Sequence, residues 1–521
     1  MAGLLVAGTT SDAGKSVVTT GLCRALARRG VKVAPYKAQN MSNNSMVCAG
    51  PDGAGASAAT GESAGASAAT GDGAGASAAT GDGACVEIGR AQWVQALAAR
   101  ATPEAAMNPV LLKPGCDQRS HVVLMGQPWG EVSSSDWLQG RRALAIAAHD
   151  AYDDLASRYD VVIAEGAGSP AEINLRAGDY VNLGLARHAG LPTIVVGDID
   201  RGGVFAAFLG TVALLSPADQ ALIAGFVVNK FRGDPDLLAP GLRDLERVTG
   251  RQVYGTLPWR SDIWLDSEDA LDLHGRRSRR TGARRVAVVR LPRISNFTDV
   301  DALSLEPDLD VVFASRPGDL ADADLVVLPG TRSTIADLAW LRSRGLDRAV
   351  VTHAAAGKPV LGICGGFQML GRKVRDSVGI EGTPATVDGL GILDTETNFA
   401  VAKTLRLPEG QWLGASASGY EIHHGRVTRG PGVQEFLGGA RAGQVFGTMW
   451  HGALEGDALR AEFLRETLGL DPSGISFPVA RDARLDLLAD LVEEHLDIDA
   501  VLDLIHDGPP DGLPFLPPGA P

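Results

Sequence analysis

Aromatic side chains make up only 5% of the 521 residues, too few for the stacking platforms on which single-stranded nucleic acid is held. Positive charge is also in deficit. Against 62 Asp and Glu stand 48 Lys and Arg, a formal net charge of −14, which disfavours a general phosphate-backbone binder and leaves room only for a local cationic pocket. No nucleic-acid partner is expected. Cysteine is sparse as well: the five residues Cys23, Cys48, Cys85, Cys116 and Cys364 are odd in number and widely spaced. They suggest neither a disulfide framework nor a metal cluster, and a reducing cytoplasm is expected. No apolar run reaches the roughly 18 residues that cross a bilayer. The first residues carry no basic leader and lead within eight positions into a Gly-rich loop, so neither a signal peptide nor a membrane partner is expected.

What is present is an ordinary globular mixture, 45% hydrophobic and 21% charged, in a chain long enough for two or three domains. LLVAG (4–8) reads as a buried strand and is followed by a Gly/Ser turn, a helical pattern ending at Gly30 and a second strand at 31–35. DVVIAEG, PTIVVGD and GFVVNKF each precede a loop and a helical pattern, the alternation of a parallel sheet covered on both faces. A ten-residue unit then recurs three times between positions 53 and 84, with side chains too small to build a core, and reads as a surface insertion. Positions 236–284 read as a linker, ending in six arginines between His274 and Val286. A second alternation, VAVVRLP, DVVFAS, LVVLPG and PVLGICGG, occupies 285–456, and 457–521 reads as a helical tail. The fold class expected is α/β with two doubly wound domains: a P-loop domain over 1–235 and a second domain over 285–456.

GTTSDAGKS, Gly8 to Ser16, follows a strand and opens a helix, the context that a phosphate-cradling loop requires. Backbone N–H groups of the loop and Gly14 would face the phosphates of ATP, Lys15 would add a point charge, and the Ser16 hydroxyl would hold Mg²⁺. Thr9 stands where the motif has its first glycine, a variant that resembles the loop of dethiobiotin-synthetase-like enzymes. Glu165, at the end of DVVIAEG, supplies a hard oxygen for Mg²⁺, with Asp12 and the strand-end Asp198 as further candidates. Asn229 and Lys230 in VVNKF are candidates to face the base.

PVLGICGGFQML is a strand, a Gly-x-Cys-x-Gly turn and a helix start, the cysteine counterpart of the nucleophile elbow. Such a turn exposes the Cys364 sulfur near helix-end N–H groups. A thiol nucleophile needs a base. His451 in VFGTMWHG is the candidate, with His423 and His424 of GYEIHHG as competitors or substrate-side groups. Gly330, at the end of LVVLPG, and Gly365 are placed to donate N–H groups to an oxyanion.

These motifs, together with PYKAQNMSNNSMV, EIGRAQ, MNPVLLKP, EGAGSPAEINL, GDIDRGGVFA and RLPRISNFTD, resemble the cobyric acid synthase family over nearly the whole chain. The resemblance implies a P-loop amidoligase domain joined to a class I glutamine amidotransferase domain. It also implies ATP and Mg²⁺ as cofactors, with a corrinoid a,c-diamide, glutamine and ATP as small-molecule partners. Amidation of the b, d, e and g carboxylates through an acyl phosphate would follow, with Cys364 releasing ammonia from glutamine. Lys37, Gln39, Asn40, Asn43, Asn44 and Arg90 would then contact corrin carboxylates and phosphates. Triad amidotransferases carry a Glu two positions after the catalytic His; Ala453 stands there, so the third member stays open and Glu455 is left unassigned. A homo-oligomer is left open too. The rivals are a cobyrinic acid a,c-diamide synthase, a cell-wall amidotransferase and a partitioning-type P-loop ATPase. The first two share both chemistries, whereas the third usually has an early lysine in its loop and lacks the cysteine turn.

Overall fold

The structure, a computed structural model, describes residues 2–50, 85–114, 119–133, 137–260, 282–471 and 473–517. The repeat at 53–84, Cys116 and most of the arginine run lie outside them. Among the described residues no helix is long and apolar enough to cross a membrane. The chain divides into two compact units, one from residues 2–46, 87–260 and 474–517, the other chiefly from 282–471.

In the first unit six strands form a wholly parallel sheet: β1 (Ala2–Gly8), β2 (Val33–Tyr36), β3 (Val161–Glu165), β4 (Thr193–Asp198), β5 (Ile223–Phe231) and β6 (Gln252–Pro258), in the spatial order β6-β5-β4-β1-β3-β2. Alternate side chains of β1 feed two different cores: Leu4 and Val6 pack with Val18 and Leu22 on one face, Leu5 and Ala7 with Tyr36 and Val162 on the other. A strand buried on both faces must be continuously apolar, which is why LLVAG shows no alternation. The strand order reverses at β1, so its carboxyl end opens at the switch point where sheets of this kind bind ligands.

Positions 236–258 correct the linker reading. Pro235–Thr249 is a helix, capped by the Asp234 side chain on the Asp236 N–H and closed by Gly250 in the left-handed region, and β6 adds the edge strand. Pro240 inside the helix and Gly255 inside the strand broke the pattern that sequence periodicity relies on. The tail also divides. Helix Asp457–Leu468 belongs to the second unit, while Phe477–His495 and Ile498–Asp507 belong to the first. There Leu485, Leu488 and Val492 pack with Val18, Leu22 and Leu26 of α1 (Lys15–Arg28), the helix that carries the P-loop lysine. Arg24, 2% exposed, is held by Asp482 and Asp486 at 2.7 and 2.8 Å. A buried guanidinium needs such partners to offset its desolvation.

The second unit has a seven-stranded sheet built from β7 (Arg284–Val289), β8 (Leu309–Ala314), β9 (Leu325–Leu328), β10 (Val360–Ile363), β13 (Gln434–Phe436), β14 (Gly439–Ala442) and β15 (Val445–Thr448), ordered β8-β7-β9-β10-β15-β14-β13. A smaller sheet contains the antiparallel pair β11 (Thr395–Arg406) and β12 (Glu421–Arg429). Helix α2 (Gly365–Leu370) starts directly after β10. Adjacent β10 and β15 run parallel, and that brings the loops after both strands to one end of the sheet.

Candidate functional site

In the first unit β1 runs into a tight loop whose last residue, Gly14, has φ +100°, a conformation that costs a side-chain-bearing residue strain. A Cβ there would also lie 1.9 Å from Asn229 Nδ2. Thr9 extends the β1 ladder, its N–H donating to Val196 O at 2.9 Å. Lys15 arches back over the loop, Nζ donating to Thr10 O (2.9 Å), Ser11 O (3.1 Å) and Gly168 O (3.2 Å). Ser16 Oγ donates to Glu165 Oε1 at 2.9 Å. Lys37 Nζ meets the same oxygen at 2.9 Å, and Gln95 Nε2 donates to Oε2 at 2.5 Å. Burial opposes ionisation of Glu165, but Lys37 and Lys15 outweigh it and hold the carboxyl below its ordinary range.

The hydroxyl and carboxylate of Ser16 and Glu165 are the donor types Mg²⁺ takes, and this carboxylate already holds a cation, the Lys37 ammonium. Among the described residues no cluster of three or more His, Cys, Asp or Glu could bind a metal by itself.

Most of the other expected residues have partners of their own within the structure. Asp12 is 61% exposed and its carboxylate pairs with Arg201 at 2.8 Å. Asp198 pairs with Lys230 at 2.9 Å. Asn229 Nδ2 donates to Ala13 O (2.9 Å) and Lys230 Nζ to Asp12 O (2.8 Å), so these two side chains clasp the phosphate loop where a base contact was expected. Of the expected corrin contacts, Arg90 is 1% exposed, with Nη1 on Met46 Sδ and its guanidinium 4.8 Å over the Trp93 ring. Asn40 is buried and donates to Gln92 Oε1 at 2.8 Å, and the Asn44 carbonyl accepts the Arg90 N–H. These residues brace the segment from inside. Gln39 accepts from the Tyr180 hydroxyl at 2.5 Å, while Asn43 Oδ1 has no hydrogen-bond partner among the described residues.

In the second unit Cys364 sits between β10 and α2 at φ +49°, ψ −108°, the strained turn of a nucleophile elbow. Close approach explains the glycines around it: a Cβ on Gly366 would lie 1.9 Å from Leu328 O and one on Gly362 2.8 Å from Phe367 N. Gly365 abuts Thr331, and a Cβ on Gly330 would lie 2.9 Å from His451 Cε1, so both candidate oxyanion residues border the cysteine and histidine. His451 follows β15; its ring is stacked by Tyr420 at 5.3 Å, and the neighbouring Cys364 thiol acts on it to raise its pKa.

The residue that sequence reasoning missed is Asp299. Its Oδ2 lies 2.7 Å from His451 Nδ1, and its Oδ1 accepts the Gly452 N–H at 2.8 Å. The Asp fixes the imidazole with Nδ1 protonated and Nε2 directed at chemistry, the role of the third member of a triad. Burial by itself would lower the His451 pKa; Asp299 and Cys364 override it and push it up to about 10. His423 and His424 differ. Each Nδ1 is tied to a backbone carbonyl, of Gly425 (2.8 Å) and Ala400 (3.2 Å), and burial pushes them down to about 3 and about 4, the opposite direction from His451.

Asp299→Asn is expected to cut glutamine hydrolysis by about 100-fold or more, because the amide cannot hold the same tautomer. Because the folded-state pKa of His451 lies above the free value of 6.5, its pairing stabilises the fold fully below that value and fades as pH rises towards about 10. The melting-temperature loss in the variant should accordingly be larger near the acid end of that window, as calorimetry at two pH values would read.

Comparison with known proteins adds to this geometry. Residues 4–272 match the family model of the CobQ/CobB/MinD/ParA nucleotide binding domain, and 285–459 that of the CobB/CobQ-like glutamine amidotransferase domain. The chain is 78% identical over 521 residues to the cobyric acid synthase of Mycolicibacterium gilvum and 77% identical to that of Mycolicibacterium vanbaalenii, with all of each chain covered. To the cobyric acid synthase of Mycobacterium tuberculosis it is 74% identical over 524 residues, again with both chains fully covered.

Proposed function

The chain belongs to the cobyric acid synthase family, and on that premise we propose that it amidates the b, d, e and g carboxylates of adenosylcobyrinic acid a,c-diamide, taking nitrogen from glutamine and driving force from ATP. At the coarser level it is a glutamine-dependent amidotransferase, an enzyme that joins a P-loop nucleotide-binding domain to a glutaminase domain. The observation that supports this reading is the presence in one chain of the Cys364 turn with its neighbouring His451–Asp299 pair and of a phosphate loop whose Ser16 meets Glu165.

In this reading His451 takes the Cys364 proton, and the sulfur attacks the glutamine carboxamide carbon while the N–H groups of Gly330 and Gly365 receive the oxyanion. The C–N bond breaks, His451 gives the proton to nitrogen, and ammonia leaves. Water then cleaves the γ-glutamyl thioester to glutamate and restores the thiol. In the other unit a corrin carboxylate oxygen attacks the γ-phosphorus of ATP, forming an acyl phosphate and releasing ADP. Gly14, Lys15 and the loop N–H groups hold the phosphates in place. Ser16 and Glu165 would hold Mg²⁺, which supplies charge neutralisation at the phosphate oxygens. Lys37 is released from Glu165 to face the substrate carboxylate. Ammonia adds to the acyl carbon, loses a proton, and phosphate departs, leaving the amide. A reducing cytoplasm is the proposed compartment, since the Cys364 thiol must stay reduced to attack.

The test is to incubate the full chain with Mg-ATP, glutamine and the a,c-diamide corrinoid and follow the corrinoid mass. Stepwise conversion of four acids to amides supports the reading; consumption of ATP and glutamine with the corrinoid unchanged overturns it.

A further inference from the structure

Strand β12 begins beside the catalytic histidine. Tyr420 and His451 exchange both backbone hydrogen bonds, at 3.0 and 2.8 Å, just before the strand starts. Five residues further along, a Cβ on Gly425 would lie 2.3 Å from Gln368 Nε2. Gln368 is one turn into α2, where its N–H donates to Cys364 O at 2.9 Å. His423 lies on β12 between these two points, three residues after Tyr420 and two before Gly425, with a shift of the β11–β12 register between it and Gly425.

The Gly425 carbonyl only accepts, so the 2.8 Å contact places the proton of His423 on Nδ1 and leaves a lone pair on Nε2. That Nε2 is buried and has no hydrogen-bond partner among the described residues. Directly across the sheet, on the same face, Thr404 Oγ1 is in the same condition. Two opposed polar groups left unsatisfied cost stability unless a ligand supplies what they lack. Burial, with Arg426 and His451 nearby, pushes the imidazole pKa down to about 3, and that keeps the acceptor neutral.

Building on the glutaminase reading above, we propose that His423 is a specificity-determining residue whose Nε2 accepts a hydrogen bond from the carboxamide N–H of bound glutamine. His423 stands on β12 between Tyr420, whose backbone pairs with His451, and Gly425, which abuts Gln368 beside Cys364, and the carboxamide is the part of glutamine that must meet Cys364 and His451. Glutamate offers only oxygen lone pairs at this place. His423 therefore selects substrate over product and hastens product release.

The test uses the full chain with His423→Phe, which removes the acceptor, and His423→Gln, whose amide oxygen restores one. The readouts are glutaminase KM and kcat, together with glutamine and glutamate dissociation constants measured on a Cys364→Ala background. The Phe variant is expected to raise KM for glutamine by about 10- to 100-fold, more than it lowers kcat, and to erase the preference for glutamine over glutamate, while the Gln variant stays close to wild type. An unchanged KM and preference in the Phe variant overturns the proposal. So does an equal KM rise in both variants with the preference intact, which marks a structural role. Absence of glutaminase activity in the wild type strikes the glutaminase reading itself.

Discussion

Cys364→Ala is expected to abolish glutamine-dependent synthesis, by at least about 1,000-fold, while ammonium salts at high concentration continue to support amide formation in the same protein. The sulfur is the only group in its turn that can form the thioester, and without it the carboxamide meets no nucleophile. The loss should be confined to one half-reaction because the phosphate loop belongs to the other compact unit, with its own core. Alanine at a position with φ +49° keeps the strain of the turn and removes only the sulfur, so the fold should persist. The checking measurement compares amide formation from glutamine and from ammonium at equal ATP. Loss of both activities in a folded variant would sink the two-site account.

Lys15→Ala has the complementary expectation. Activated carboxylate is needed whichever nitrogen source is offered, so both glutamine- and ammonia-dependent synthesis should fall by about 100-fold or more. Glutamine hydrolysis by the isolated half-reaction should remain. Lys15 is 3% exposed and donates to three carbonyls, so its removal also leaves Thr10 O, Ser11 O and Gly168 O short of a donor and loosens the loop. The split between the two effects is measurable: loosening raises KM for ATP, while loss of charge at the γ-phosphoryl group lowers kcat. Retention of full ammonia-dependent turnover would contradict the assignment of the loop.

The cysteine turn and the glycine-rich loop could be read along the sequence because each is a local strand–turn–helix whose glycines are demanded by backbone geometry or close approach, as at Gly14 and Gly366. Asp299 could not. It reaches His451 across 152 positions of chain, and a reading that looked for a Glu two positions after the His found Ala453 instead. The signal was nevertheless present: RLPRISNFTD ends on this aspartate. Burial is what the sequence did not reveal at the expected substrate residues. A polar Arg or Asn in a loop-rich motif looks available to a ligand, yet Arg90 and Asn40 satisfy the interior of their own segment. The supposed linker failed for a different reason, since a proline within a helix and a glycine within an edge strand dilute the periodicity that marks both elements.

The most direct measurement of the central claim, that nitrogen from glutamine displaces phosphate from an activated corrin carboxylate, is a double-label experiment. The enzyme is given amide-¹⁵N glutamine, ATP, Mg²⁺ and an a,c-diamide corrinoid whose free carboxylates carry ¹⁸O, and the masses of product and phosphate are read together. The account predicts a corrinoid with ¹⁵N in each new amide and one ¹⁸O in each phosphate released. Phosphate free of ¹⁸O, or amides free of ¹⁵N, would contradict it.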